Sequence, residues 1–391
     1  DARETIATVA GLGPFDSVVV DHYALGLGWE RSLRSVAAKV VVIDDLADRP
    51  HDCDLLIDPA PGIDQRYAQL VPSHCTRLLG PDYAILRPEF RLGPVGNSSR
   101  VREIERVLVS FGGIDPDNHT ARAVAAVRQA LPHAQVDVVA TGLFRHLPAL
   151  MSASRQDDRL TLHVDIGKMA DLMQAADIAI GAGGSTSWER ACMGLPSLVV
   201  VAAANQQVTA DALARLGCAL PVAAGPRLEA DLSAALRVLS SSPALRRLMS
   251  IAAKEVVDGR GVDRVARAIF PPAISMRPAQ QADCRRIWQW RNSPEIRATA
   301  ADSSEIAWDE HRAWFARKLG DAQTAMLVAE HEGAAVGFVR YDLNHNVATV
   351  SIFLAPGHEG RGFGLAALKH GEKWMSARHP GIRAFEADVR P

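Results

Sequence analysis

The chain has 391 residues, 48% of them hydrophobic and 23% charged, which is enough for two or three domains with buried cores. A formal net charge of -2 excludes the electrostatic footprint of a nucleic-acid or anionic-membrane partner, so small-molecule partners are expected. The five scattered cysteines (Cys53, Cys75, Cys192, Cys218, Cys284) form no CxxC pair, arguing against a zinc site or disulfide framework and for a reducing cytoplasm, and no apolar run reaches the roughly 18 to 20 residues of a membrane span.

Along the chain, short β-branched runs alternate with longer amphipathic stretches: Ser17 to Val20, Val40 to Ile43, Val107 to Ser110, Val136 to Ala140, Ile178 to Ile180 and Leu198 to Ala202. Such runs, bounded by Gly, Asp or Pro, read as buried parallel strands with helices between them, an α/β arrangement. RLGPVGNSSR, residues 91 to 100, lacks periodicity and reads as a linker; FPPAISMRP, residues 270 to 278, marks a second break. Three domains are expected, over residues 1–100, 101–270 and 274–391. The last holds five of the seven tryptophans and reads helix, helix, hairpin, strand, helix, strand, a different fold type.

The stretch GAGGSTSWERACMGLP, residues 181 to 196, follows the Ile178 to Ile180 strand and runs into a helix expected to begin near Ser185 or Thr186. Glycines let a backbone approach a ligand closely, and free amides at a helix start favour an anion such as a diphosphate. Glu189 lies one turn in, where a carboxylate can accept from a ribose diol. Thr186-x-x-Glu189 also fits a capping box, which needs no ligand. A short strand and a helix immediately upstream place the loop at a carboxyl edge, where open α/β sheets bind ligands. Asp21, His22 and Tyr23 likewise follow a strand, either as a turn with a packed tyrosine or as groups facing a cleft. Gly112, Gly113 and Asp115 admit the same two readings. Asp44-Asp45 and Asp52-x-Asp54 contain paired carboxylates; Asp44 and Asp45 are expected to serve turns and caps, and no metal is expected.

Residues 16 to 270 resemble the UDP-2,4-diacetamido-2,4,6-trideoxy-β-L-altropyranose hydrolase family of pseudaminic acid biosynthesis, with a GT-B-like arrangement. The matching stretches are VVVDHYALGLGWE (18 to 30), IDDLADRPHDCDLLID (43 to 58), LLGPDYAILRPEF (78 to 90), VSFGGIDPDN (109 to 118), GGSTSWERACMGLPSLVV (183 to 200) and Asn205-Gln206. The resemblance implies a pair of Rossmann-type domains acting on a UDP-sugar. It places the diphosphate on Gly183, Gly184, Ser185, Thr186 and Ser187 and the ribose on Glu189. Ile166 and Met169 would line the uracil pocket, and Gly112 and Gly113 would close on the sugar. Asp21, His22, Tyr23, Asn205 and Gln206 would form the catalytic side. The family's water-activating histidine sits in an N-terminal G-x-G-H-x-x-R-type turn that has no match before Asp16. With Asp1 rather than Met at the start, the first domain is expected to be incomplete, with His22 the alternative base.

In the last domain, VATVSIFLAPGHEGRGFGLAALKHGEKWM (347 to 375) reads as a strand ending near Leu354, a glycine loop, and a helix opening near Leu365. This resembles the R/Q-x-x-G-x-G/A motif of GNAT N-acetyltransferases, implying acetyl-CoA as co-substrate held by Leu354, Gly360, Arg361, Gly362, Phe363, Gly364 and Leu365. Glu359 departs from the motif at its first position. Trp290-Arg291-Asn292 and EHRAWF (310 to 315) resemble the sub-group that acetylates amino-sugar nucleotides or protein N-termini. Glu310, His311 and Tyr341 are the candidate bases, and the C-terminal end of this α+β domain is expected to be incomplete. Three readings follow: a UDP-sugar hydrolase fused to an acetyltransferase, a GT-B glycosyltransferase with a UDP-sugar donor, or a non-catalytic UDP/CoA-binding fragment.

Overall fold

The computed structural model describes residues 2–60, 65–91, 103–203, 206–300 and 302–387. Most of the linker expected at 91 to 100 therefore lies outside the described residues, as does Asn205. Two compact units are present, Asp1–Val265 and Ala266–Pro391. Among the described residues no helix is long and apolar enough to cross a membrane.

The first unit carries two wholly parallel sheets. One is formed by β1 (Val18–Val20), β2 (Val40–Ile43), β3 (Leu55–Asp58) and β4 (Thr76–Leu79), in that spatial order. At its edge, Val19 of β1 is 48% exposed. The other is formed by β5 (Arg106–Ser110), β6 (Gln135–Ala140), β7 (Leu160–Val164), β8 (Ile178–Ala182), β9 (Ser197–Val201) and β10 (Ala219–Ala223). Its order is β10-β9-β8-β5-β6-β7, so the chain moves out from β5 through β6 and β7 and returns on the far side of β5 as β8. That reversal makes the carboxyl ends of β5 and β8 the topological switch point, the position where doubly wound sheets take ligands.

The strand period of two sorts each run into two cores. Val107, Val109, Ile178, Ile180, Leu198 and Val200 face one layer, which holds helices His119–Ala130 and Leu228–Ser241. Leu108, Ala179 and Val199 face the other, with Met173, Trp188 and Leu213. Strands buried on both faces explain why these runs read as continuous Val and Ile in the sequence.

Among the described residues, four strands answer to no expected element: β3, β4, β10 and β11 (Ser275–Pro278). β10 contains Pro221, which is tolerated because β10 pairs only with β9 at the sheet edge. β4 is half polar, and its first two residues are exposed at the opposite edge of the first sheet.

The second unit is a five-stranded sheet of β11, β12 (Thr324–His331), β13 (Ala334–Asn344), β14 (Val347–Leu354) and β15 (Ala384–Glu386), in chain order. The first three pairings are antiparallel and β14–β15 is parallel. Glu332 and Gly333 both take positive φ, 49° and 79°, the conformation a two-residue hairpin turn demands. Leu327, Ala329, Val339 and Tyr341 pack on helix Phe363–Arg378, whereas Met326, Val328 and Phe338 pack on Ile287 and Phe315 of the opposite layer. β15 pairs with β14 only at Val347, Ala348 and Thr349, so among the described residues Val350 to Leu354 have no partner on that side.

Candidate functional site

β8 ends at Ala182, and helix Thr186–Cys192 begins four residues later. Gly181 has no alternative residue: an added Cβ would stand 2.3 Å from the Ser110 carbonyl oxygen of β5 and 2.7 Å from Nη1 of Arg190. Gly183 is similarly pressed, 3.0 Å from the Gln206 Cβ. Gly184, by contrast, meets nothing within 4 Å and is exposed, so the turn is packed from below and open above. Ser185 occupies the cap position and its side chain makes no cap hydrogen bond. The cap falls on Ser185 and Thr186 is already helical, so no Thr186–Glu189 capping box is seen, and the Glu189 carboxylate instead accepts from Arg87 Nε at 3.1 Å. Burial raises the Glu189 pKa, and the Arg87 hydrogen bond offsets part of that rise.

Arg87 belongs to the segment after β4, whose Ala84, Leu86 and Phe90 pack into the core of the six-stranded sheet. Gly259 and Gly261 permit this, since Cβ atoms there would lie 2.5 Å from the Phe90 carbonyl and 2.1 Å from that of Ala84. The LLGPDYAILRPEF stretch thus brings a cation to Glu189 across 102 residues of sequence. The sequence offers no local signal for this pair.

The other predicted residues take varied positions. Gln206 Oε1 accepts from the Gly183 amide at 3.3 Å and from the Ala202 amide at 3.1 Å, tying the glycine turn to the end of β9. Gly112 follows β5 with φ 82° and an open Cβ position, and Gly113 packs on Thr141. Asp115 serves the turn: its carboxylate accepts from the His119 and Thr120 amides at 2.9 and 2.8 Å, holding the start of helix His119–Ala130. Met169 is buried in the second core layer, while Ile166 is half-buried beyond β7.

At the carboxyl edge of the first sheet, Asp21, His22 and Tyr23 are exposed, Tyr23 at 58%. Partial burial and the charge of neighbouring Asp45 raise the Tyr23 pKa. Behind them lies a buried polar network that sequence reasoning missed. The Tyr67 hydroxyl lies 2.9 Å from an Asp44 carboxylate oxygen and 3.1 Å from one of Asp58, and Arg66 pairs with Asp58 at 3.1 Å. Burial pushes the Asp58 carboxyl up to about 6. His51 Nδ1 meets Glu30 at 2.6 Å. The expected turn role of Asp44 is seen in its bond from the Ala47 amide, 2.9 Å. Asp52 and Asp54 both engage Arg34, at 2.9 and 3.0 Å.

In the second unit, the loop from Ala355 to Gly362 joins β14 to helix Phe363–Arg378, which starts two residues before the expected Leu365. Gly357, Gly360 and Gly362 take φ of 82°, 67° and 88°, a region closed to most side chains. Glu359, the departure from the motif, bends back so that its carboxylate accepts from the Gly357 amide at 2.8 Å. Phe363 is buried as an anchor against the His331 and His358 rings, while Arg361 and Leu365 are exposed. Gly364 lies against Leu354, its Cβ position 3.8 Å from Leu354 Cδ1. Of the candidate bases, Glu310 is exposed; His311 and Tyr341 are core residues. Burial lowers the His311 pKa and raises that of Tyr341.

Comparison with known proteins yields two likenesses. Residues 284–391 match the model of the acetyltransferase (GNAT) family. The spore coat polysaccharide biosynthesis protein SpsG of Bacillus subtilis is 30% identical over 190 residues, covering 48% of this chain and 56% of that protein. The UDP-2,4-diacetamido-2,4,6-trideoxy-β-L-altropyranose hydrolase of Campylobacter jejuni is 25% identical over 206 residues, 52% of this chain and 72% of that protein. The chain spans about half the length of the first curated relatives it matches. Among solved structures, MurG of Acinetobacter baumannii aligns with a TM-score of 0.47 at 16% identity, covering 68% of this chain and 76% of that one. The chain thus has a spore coat polysaccharide biosynthesis protein and a UDP-sugar hydrolase among its homologues, and its residues 284–391 match the GNAT acetyltransferase family.

Proposed function

We propose that the first unit binds a UDP-linked diacetamido-trideoxy sugar and cleaves its anomeric bond with water, and that the fused GNAT domain acetylates an amino group of a UDP-amino-sugar. One observation carries the reading most: the open Gly183-Gly184-Ser185 turn at the carboxyl edge of β8, beside the topological reversal at β5. The relatives' names and the collinear motifs supply the substrate class.

Breaking the bond requires a stabiliser for the departing UDP, a base for water and a site that excludes other acceptors. Amides of Gly183 to Ser187 serve as the first, neutralising charge that builds on the leaving diphosphate. Glu189, once its carboxylate is shared between Arg87 and the ligand, accepts from the ribose hydroxyls. Ile166 and the rim of Met169 face the uracil, and Gly112 and Gly113 close on the sugar. Asp21, His22 and Tyr23 supply acid–base groups from the first sheet, with Asn205 and Gln206 on the sugar side. In the acetyltransferase, the strand edge Val350 to Leu354 and the amides from Gly360 to Leu365 cradle acetyl-CoA, and the substrate amine attacks the thioester directly. Consecutive steps in one chain raise the effective concentration of the shared intermediate.

The test is a product assay on the full chain. With the UDP-sugar, free sugar and UDP are expected; a glycosylated product would instead identify a glycosyltransferase, and binding by calorimetry without turnover would identify a binding module. With acetyl-CoA and the UDP-amino-sugar, release of free thiol is expected.

A further inference from the structure

Arg190 is an anomaly. It sits on helix Thr186–Cys192 with 2% of its surface exposed, and arginines are almost never that buried unless paired with a carboxylate. Its Nη2 donates to the Ala182 carbonyl and to the Ser187 hydroxyl, both at 2.9 Å. Nε and Nη1 are buried and have no hydrogen-bond partner. Among the described residues no ion pair includes it. Neighbouring Glu189 attracts it, but that carboxylate is hydrogen-bonded to Arg87. Burial pulls the guanidinium down to about 10, which leaves it charged at neutral pH.

An uncompensated buried cation is strongly unfavourable, because burial removes its hydration and nothing replaces it. The adjoining cavity, bordered by Ser187, Arg190, Ser197 and Cys218, has a volume of about 10 Å³. That admits one water at most. A carbonyl, a hydroxyl and one water dipole do not balance a full charge. The position supplies the reason: Ala182 and Ser187 flank the glycine turn, and a single nitrogen of Arg190 holds both.

Resting on the nucleotide reading above, we propose that Arg190 is the fixed counter-charge of the diphosphate, a positioning residue that braces both ends of the Gly183–Ser185 turn from beneath and lends its field to the anion. Gly181 is what makes room for it, since any side chain there would collide with Nη1.

The experiment titrates uridine, UDP and inorganic diphosphate into the full chain and its Arg190→Gln and Arg190→Lys variants, by calorimetry and ligand-observed NMR, with thermal unfolding run alongside. Arg190→Gln is expected to weaken UDP and diphosphate by about tenfold or more and uridine by less than about twofold, because only the anions meet the lost field. Arg190→Lys, which keeps the charge, should recover most of the preference for UDP over uridine. Equal losses for uridine and UDP would reduce Arg190 to a structural brace, and unchanged diphosphate binding would overturn the proposal outright. If Arg190→Gln does not fold, the lysine variant decides: a preference for UDP lost with the fold intact overturns the proposal. An unaltered chain that binds none of the three ligands refutes the nucleotide reading itself, and this inference with it.

Discussion

The two glycine turns, Gly181 to Ser185 and Gly357 to Gly362, look alike in sequence and answer different physical demands. In the first, Gly181 and Gly183 have no positive φ and are glycine because backbone and side chains press on them: Ser110, Arg190 and Gln206 fill the space a Cβ needs. In the second, Gly357 and Gly360 have nothing within 4 Å of a Cβ and are glycine because φ is positive. Their cations differ as well, Arg190 being sealed beneath its turn and Arg361 exposed on its own. Glycine content alone therefore says little about what a turn does; a crowded glycine marks a rigid, pre-shaped floor, and a twisted one marks a bend.

Substitutions can break or sharpen that contrast. Gly181→Ala should have the largest effect, because the Cβ meets Ser110 backbone across the β5–β8 pair and neither strand can yield; we expect a loss of about 2 kcal/mol or more, read as a drop in melting temperature together with UDP binding. Gly362→Val should abolish CoA binding with UDP affinity intact, since a β-branched residue cannot hold φ 88° and its Cβ would press on Pro272 at 3.2 Å. Loss of both activities would show that the two units do not bind independently. Glu189→Ala is expected to weaken UDP by about tenfold while the fold survives, the loss of one charge-assisted contact. Unchanged affinity would leave Glu189 as no more than the partner of Arg87. Smallest in stability is Gly184→Ala, with no clash and no positive φ: melting should move by less than about 2 °C. UDP binding should nevertheless fall, because the methyl group enters the space above the turn.

Much of this was legible in the chain. Runs such as VVVI at 40 to 43 and SLVVV at 197 to 201 declare themselves as buried parallel strands, because a strand covered on both faces needs apolar residues at every position. The GAGGST and GHEGRGFG turns were visible as strand-to-helix junctions for the same local reason. LLID, TRLL, ALPVA and SMRP do not read as strands, since edge strands and the carboxyl end of β3 admit the Asp, Arg and Pro that mask them.

Local sequence determined the elements, the alternation that sorts each strand into two cores, and the two turns, since these depend on neighbours a few residues apart. Only the tertiary structure decided which charges are buried and what they meet. Glu189 reads equally as a ribose contact or a helix cap until a segment 102 residues away delivers Arg87, and nothing in the local sequence sets Arg190 apart from a solvated helix residue, although the folded unit buries it. Burial and charge pairing are set by groups brought together across the whole unit, and no local pattern carries that information.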